Sequence, residues 1–353
     1  KAVRYATKAP GRERPRMVLL ADVAGGDETY VARVASRLVA IANARDGEGF
    51  IAVSPEARRR FWLDRSRTAA ISAHTNAFKI NEDVVIPPQR LVEYNTGIER
   101  INIEQSIANK IGSIDAFSAY LAGELKEFRQ AGDYEPSDES SAIFQAKLDL
   151  AREHLARVRA RWSRLLERMD DAASAHTDIL SEAEQDSIRS DDRLLDLMLR
   201  RDVRVSYRNE IKQHLREIFS GQEMEPLRNA LRAKHLALKN NRLFVALHMH
   251  AGDGNVHTNI PVHSDNYRML HEADRVVDRI MQLAIDLGGV ISGEHGIGLT
   301  KIDYLGADKI DAFVKYKQQV DPNGHFNKGK LMPGSGLGDA YTPSLALVQQ
   351  EAL

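Results

Sequence analysis

A chain of 353 residues, 43% hydrophobic and 28% charged, is long enough for two or three structural units and has an ordinary globular composition. Its formal net charge of -1 gives no footprint for nucleic acid or an anionic membrane, and no apolar run approaches the ~20 residues of a membrane span. The absence of cysteine excludes disulfides, thiolate metal sites, a cysteine nucleophile and a cysteine-held iron–sulfur cluster within these residues.

The basic opening, "KAVRYATKAPGRERPR", has no apolar stretch behind it, so no signal peptide is expected and the expected compartment is the cytoplasm. The first residue is Lys, which reads as a piece of something longer. From Arg16 to about Gly97 strand and helix patterns alternate. "RMVLLADVAG" predicts a strand, and "DETYVARVASRLVAIANA" predicts a helix capped by Asp27. "GFIAVSP" predicts a second strand, and a second helix starts at Pro55 with Glu56 behind it. "EDVVIPPQRL" predicts a short strand stopped by Pro87 and Pro88.

The middle of the chain has a different texture. Ile107, Ile111, Ile114, Phe117, Leu121, Leu125 and Phe128 recur every three or four residues. After "GDYEPS" the spacing resumes at Leu148, Ala151, Leu155, Val158, Trp162, Leu165 and Met169. That pattern puts one apolar seam on each of two long antiparallel helices, and more helix is expected to about Leu238. The arm reads either as a packed helical insertion with solvated charges or as a surface for docking a partner.

A second alternating region runs from about Arg242 to Pro333. It opens on "HMHAGDGNVHTN", His248 to Asn259, where Asp253-Gly254 predicts a two-residue type I′ hairpin turn. Counting outward sets Gly252 opposite Asn255, His250 opposite His257 and His248 opposite Asn259. One face then carries these histidines and asparagines, and the other carries Val245, Leu247, Met249, Val256, Ile260 and Val262. Opposed Cβ atoms about 4.5–5.5 Å apart would let two imidazoles share a metal ion; two plain surface histidines are the alternative. A helix follows over "NYRMLHEADRVVDRIMQLAIDLG", then a strand "GVIS", then a last helix near "ADKIDAFVKYKQQV". In "GGVISGEHGIGLTK" Glu294 can add a carboxylate to the two imidazoles, and His295 beside it is free to handle protons. Three protein ligands with an open fourth position suit a catalytic zinc, although manganese or iron accept the same donors. An ordinary loop with a salt-bridged glutamate is the alternative.

"HAGDGNVH", "GGVISGEHGIG" and "VDPNGHFNKGKLMPG", with "FWLDRSR" and "NAFKINEDVVIP" upstream, together resemble the C-terminal, substrate-side domain of FAD-linked oxidases. That family includes the D-lactate, glycolate and D-2-hydroxyglutarate dehydrogenases. The resemblance covers roughly Met17 to Asn95 and Arg242 to Pro333, and the helical arm resembles that of the large flavin and iron–sulfur fusion members. It implies that His250, His257 and Glu294 ligate a divalent metal and that His295 is the catalytic base. It implies substrate contacts at Arg65, Lys79 and Asn259, and flavin-side contacts at Asn327 and Lys330. The chain departs from the family at His248, and at Lys328, which replaces the proline of the usual "NPGK".

The expected fold is α+β: a ferredoxin-like antiparallel or mixed sheet covered by helices, with a long helical hairpin inserted. The expected division is 1–96 and 241–333 as two halves of a substrate and metal domain, 97–240 as the helical insertion, and 334–353 as a tail or linker. No early glycine-rich phosphate loop is present; "GGDETY" is the nearest approach. The family resemblance implies FAD on a separate domain or subunit, a 2-hydroxy acid as substrate, and an iron–sulfur or quinone electron acceptor as a further partner. The location expected is the cytoplasm, or the inner-membrane periphery through partners. A metal-dependent hydrolase and a non-catalytic metal-binding assembly module are the competing readings.

Overall fold

The computed structural model describes residues 17–68, 77–123, 125 and 138–332, and the chain divides into one unit ending at Thr75 and another beginning at Asn76. In the first unit, helix α1 (Glu28–Asn43) starts where the Asp27 carboxylate accepts from Thr29 N at 2.9 Å. Helix α2 (Pro55–Thr68) starts at its proline, with Ser54 Oγ accepting from Ala57 N at 3.1 Å. Both starts are where the sequence predicts them. The two predicted strands are not formed. Residues 17–25 and 47–53 are irregular, and their apolar side chains stay in solvent, with Leu19 72% and Val53 80% exposed. A strand needs a ladder to hold it, and neither segment joins the sheet.

The second unit is α+β. Strands β1 (Ala77–Val85), β2 (Ala246–His250) and β3 (Asn255–His263) form an antiparallel sheet in the order β1-β3-β2. Side chains alternate across it. Val84 of β1 and Val256, Ile260 and Val262 of β3 point to one buried side. Helix α3 (Leu91–Ala122) covers that side with Tyr94, Ile98 and Ile101. Helix α8 (Tyr267–Asp286) lies across β1 and β3 with Met269, Ala273, Val276 and Ile280. The "GVIS" strand reduces to one bridge, Val290 with Val85, at the outer edge of β1. The last predicted helix, here α9, spans Ala307–Val320.

Helix α3 has 32 residues, about 48 Å at 1.5 Å per residue, and serves two cores. Its first half closes the sheet. Its second half, Ile107, Ile114, Phe117 and Leu121, packs in a helical core with α4 (Asp138–Glu167). All seven predicted seam residues from Leu148 to Met169 are buried there; of the earlier seam Phe128 lies outside the described residues. Arg159 pairs with Asp115 at 2.6 Å and Arg152 donates to Leu121 O at 2.7 Å, so the two helices run antiparallel. Helices α5 (Leu194–Arg200), α6 (Gln213–Ile218) and α7 (Glu225–Asn240) complete this core. Asn102 ties the two parts together: its Oδ1 accepts from Val245 N at 2.7 Å and its Nδ2 donates to Val245 O at 3.0 Å, fixing the entry to β2.

Candidate functional site

The sheet face turned away from α3 and α8 is polar. It carries Lys79, Asn81 and Asp83 from β1, Asn255, His257 and Asn259 from β3, and His248 and His250 from β2. The turn that builds it differs from the sequence prediction. His248 lies opposite His257, His250 opposite Asn255 and Ala246 opposite Asn259. The connection is therefore the four residues Ala251–Gly254, with Asp253 N and Gly254 N donating to His250 O at 3.3 and 3.1 Å. The register error is two residues. A slip of one would have turned the histidines into the core, whereas a slip of two keeps every side chain on its face. Gly254 explains the longer turn. It has φ +79°, its carbonyl accepts from Ile86 N at 2.9 Å, and a Cβ there would stand 2.0 Å from Ile86 O.

His250 and His257 become diagonal neighbours with ring centroids 5.5 Å apart. The Val85–Val290 bridge then delivers the loop that follows it to the same face. Glu294 Oε1 stands 3.5 Å from His250 Nε2 and 3.8 Å from His257 Nε2. One ligand atom from each of the three lies within 4.8 Å of the others. Atoms bound to one tetrahedral zinc at about 2.0–2.1 Å stand about 3.3 Å apart, so small side-chain rotations close the set. Asn255 Nδ2 donates to Glu294 Oε1 at 2.7 Å and aims it. Gly293 makes that approach possible, since a Cβ there would come within 2.7 Å of Asn255 Oδ1.

The electrostatics suit a cation. Burial lowers the pKa of His257, the Glu294 charge opposes that shift, and His295 and His250 reinforce it. A ring kept neutral keeps the lone pair that a metal needs. His257 is 12% exposed, while His250 and Glu294 are 41% and 56% exposed, which leaves the outer side of the triangle open to an incoming ligand. The chemistry of this donor set, two imidazoles and one carboxylate, fits a divalent ion with an open position.

His295 lies against the triangle, its ring centroid 5.2 Å from that of His257 and its Nδ1 3.5 Å from Asp83 Oδ1. Asn259 is buried two positions along from His257 on the same face, its Nδ2 donating to Ala246 O at 3.4 Å. Lys79 sits at the far end of that face, opposite Pro261. The structure thus brings together His250, His257, Glu294, His295 and Asn259. Arg65 belongs to α2 in the first unit, and its side chain lies outside the described residues. Asn327 and Lys330 lie in an exposed turn after α9, where Lys330 N donates to Asn327 O at 3.0 Å. Sequence reasoning missed Asp83, Lys301 and the aiming role of Asn255. The available signal was the pair of carboxylates Glu82 and Asp83 inside "INEDVVIP", on a strand that ends in apolar residues.

The family described as FAD linked oxidases, C-terminal domain, matches residues 2–112 and 224–331, more than half of the chain. Glycolate oxidase subunit GlcD of Escherichia coli strain K12 is 40% identical over 95 residues, which are 26% of this chain and 19% of that one. D-2-hydroxyglutarate dehydrogenase of Stutzerimonas stutzeri is 38% identical over 88 residues, 23% of this chain and 19% of that one. The mitochondrial D-lactate dehydrogenase [cytochrome] of Arabidopsis thaliana is 36% identical over 88 residues, 24% and 16%. Each match spans less than a fifth of the relative's length. No helix among the described residues is long and apolar enough to cross a membrane. The chain belongs to the FAD-linked oxidase family and carries that family's C-terminal domain.

Proposed function

We propose that the chain is the substrate- and metal-binding half of an FAD-dependent 2-hydroxy acid dehydrogenase, with a D-lactate-, glycolate- or D-2-hydroxyglutarate-like substrate. The observation that carries this reading is the convergence of His250, His257 and Glu294 within 4.8 Å, with His295 beside them. Family membership supports FAD, held mainly by a domain or subunit outside these residues, and the names of the relatives support the substrate class.

His250, His257 and Glu294 would hold a divalent ion, zinc first and manganese or iron next, on the polar face of the sheet. Bound there, the ion supplies Lewis acidity toward a 2-hydroxy carboxylate, and the flavin supplies the hydride acceptor that no side chain can be. His295 removes the hydroxyl proton, a task suited to an imidazole near neutral pH. Arg65 binds the substrate carboxylate, Lys79 is a second cationic contact to the substrate, Asn259 contacts the substrate beside the metal, and Asn327 and Lys330 face the flavin. A flavin reduced by hydride must pass its electrons on, which is the place for an iron–sulfur or quinone acceptor. The same reading takes the domain as ferredoxin-like, divided into 1–96 and 241–333, with 97–240 a helical insertion and 334–353 a tail. The gap in the family match at residues 113–223 supports the insertion.

Dye-linked oxidation of D-lactate, glycolate and D-2-hydroxyglutarate tests the reading. The chain alone should turn over poorly, and activity should appear when FAD and the flavin-binding part are supplied. His295→Gln should then lower kcat by about 10²–10⁴. Robust turnover without FAD, or hydrolysis of ester probes with zinc alone, overturns it.

A further inference from the structure

Asp83 is a fully buried carboxylate at the inner edge of the candidate site. Its Oδ2 accepts from three successive backbone N–H groups: Gly293 at 2.7 Å, Glu294, and His295 at 3.1 Å. Its Oδ1 accepts from Lys301 Nζ at 2.7 Å and Ser292 Oγ at 3.3 Å, and stands 3.5 Å from His295 Nδ1. Lys301, itself buried, also donates to Asp83 O at 3.0 Å and pairs with Glu82 Oε2 at 3.1 Å. Two carboxylates thus share one ammonium, and the cluster keeps a net negative charge.

Every hydrogen bond to this carboxylate comes from a donor, the Lys301 ammonium, three successive backbone N–H groups and the Ser292 hydroxyl, and that arrangement is the one an ionised carboxylate satisfies. An ionised carboxylate only accepts hydrogen bonds. Facing Nδ1 of a neutral imidazole, it selects the tautomer with the proton on Nδ1, and the lone pair is then on Nε2. The same carboxylate holds the backbone of Glu294.

We propose that Asp83 is a positioning residue that fixes His295 with its proton on Nδ1 and Nε2 open as proton acceptor, while anchoring the Glu294 backbone beside His250 and His257. What the open Nε2 does rests on the functional reading above; which nitrogen is open does not.

Long-range ¹H–¹⁵N correlation spectra of the full chain, ¹⁵N-labelled in histidine and stripped of metal at about pH 8, read the tautomer directly. His295→Gln identifies the His295 signals. The expected result is a His295 ring protonated on Nδ1. In Asp83→Asn the ring should move toward the Nε2-protonated form, and zinc binding should weaken about 10–100-fold, the usual cost of losing a partner that orients a ligand. A merely structural role would leave the tautomer of a folded variant unchanged. If Asp83→Asn does not fold, the wild-type spectrum decides alone. A wild-type His295 protonated on Nε2, or an unchanged tautomer in a folded Asp83→Asn chain, overturns the proposal. The expected tautomer in a chain that binds no metal strikes the functional reading and leaves this inference standing. The opposite tautomer in a metal-binding, His295-dependent enzyme strikes this inference alone.

Discussion

At the scale of single residues, the site depends on which groups are held charged. Lys301 is the only cation in hydrogen-bond contact with Asp83 among the described residues. Breaking a buried ion pair from one side costs about 3–5 kcal/mol, because the other charge stays buried and unpaired. Lys301→Met should therefore lower the unfolding free energy by that order, read from urea denaturation. The pH dependence has a definite sign. Asp83 has a lower pKa folded than unfolded, so below about pH 4 the unfolded chain binds more protons. Its stabilising contribution is complete above that pH and is lost as pH falls through the folded value. A folded Asp83→Asn variant should show a flatter loss of stability between about pH 5 and 2, measured by denaturation at a series of pH values. Five residues of the candidate site, His250, His257, Asn259, Glu294 and His295, could be singled out in the sequence because two short motifs carry them. Asp83 was not. It meets Gly293 across 210 positions, and nothing local in a strand says what will cover a charge on its far face.

At the scale of elements, the hairpin shows what periodicity fixes and what it leaves open. Alternation settled which face each histidine takes, and the structure keeps that assignment. Turn length was not settled, because Asp253-Gly254 fits a two-residue turn as well as the end of a four-residue one. The deciding contact is tertiary: Ile86 grips Gly254 from β1's exit. Gly254→Ala must adopt φ +79° and displace Ile86 O, so it should cost about 2–4 kcal/mol and lower metal affinity with it. Urea denaturation and zinc titration of that variant check both effects. The first unit shows the reverse failure. The apolar runs at residues 17–20 and 50–53 have strand-like composition, yet composition supplies no ladder partner, and they are irregular.

At the scale of the whole chain, α3 is the shared member of two cores, and the seams on α3 and α4 were readable because 3–4 spacing over many turns admits one solution. The helical core is anchored by Trp162, which is fully buried and donates from Nε1 to Glu210 Oε1 at 3.0 Å. Trp162→Ala should cost about 3–5 kcal/mol in thermal or urea unfolding. It should leave zinc affinity in the folded chain unchanged, because His250, His257 and Glu294 rest on the sheet core instead.

The proposed metal centre requires two imidazoles on one hairpin and a glutamate from a distant loop to enclose one divalent ion. Elemental analysis of the purified chain after zinc loading and desalting tests it most directly, run beside His257→Ala and Glu294→Gln. The expected result is one ion per wild-type chain and loss of that ion in both variants with the fold intact. A wild-type chain that retains no ion, or variants that keep it in full, would contradict it.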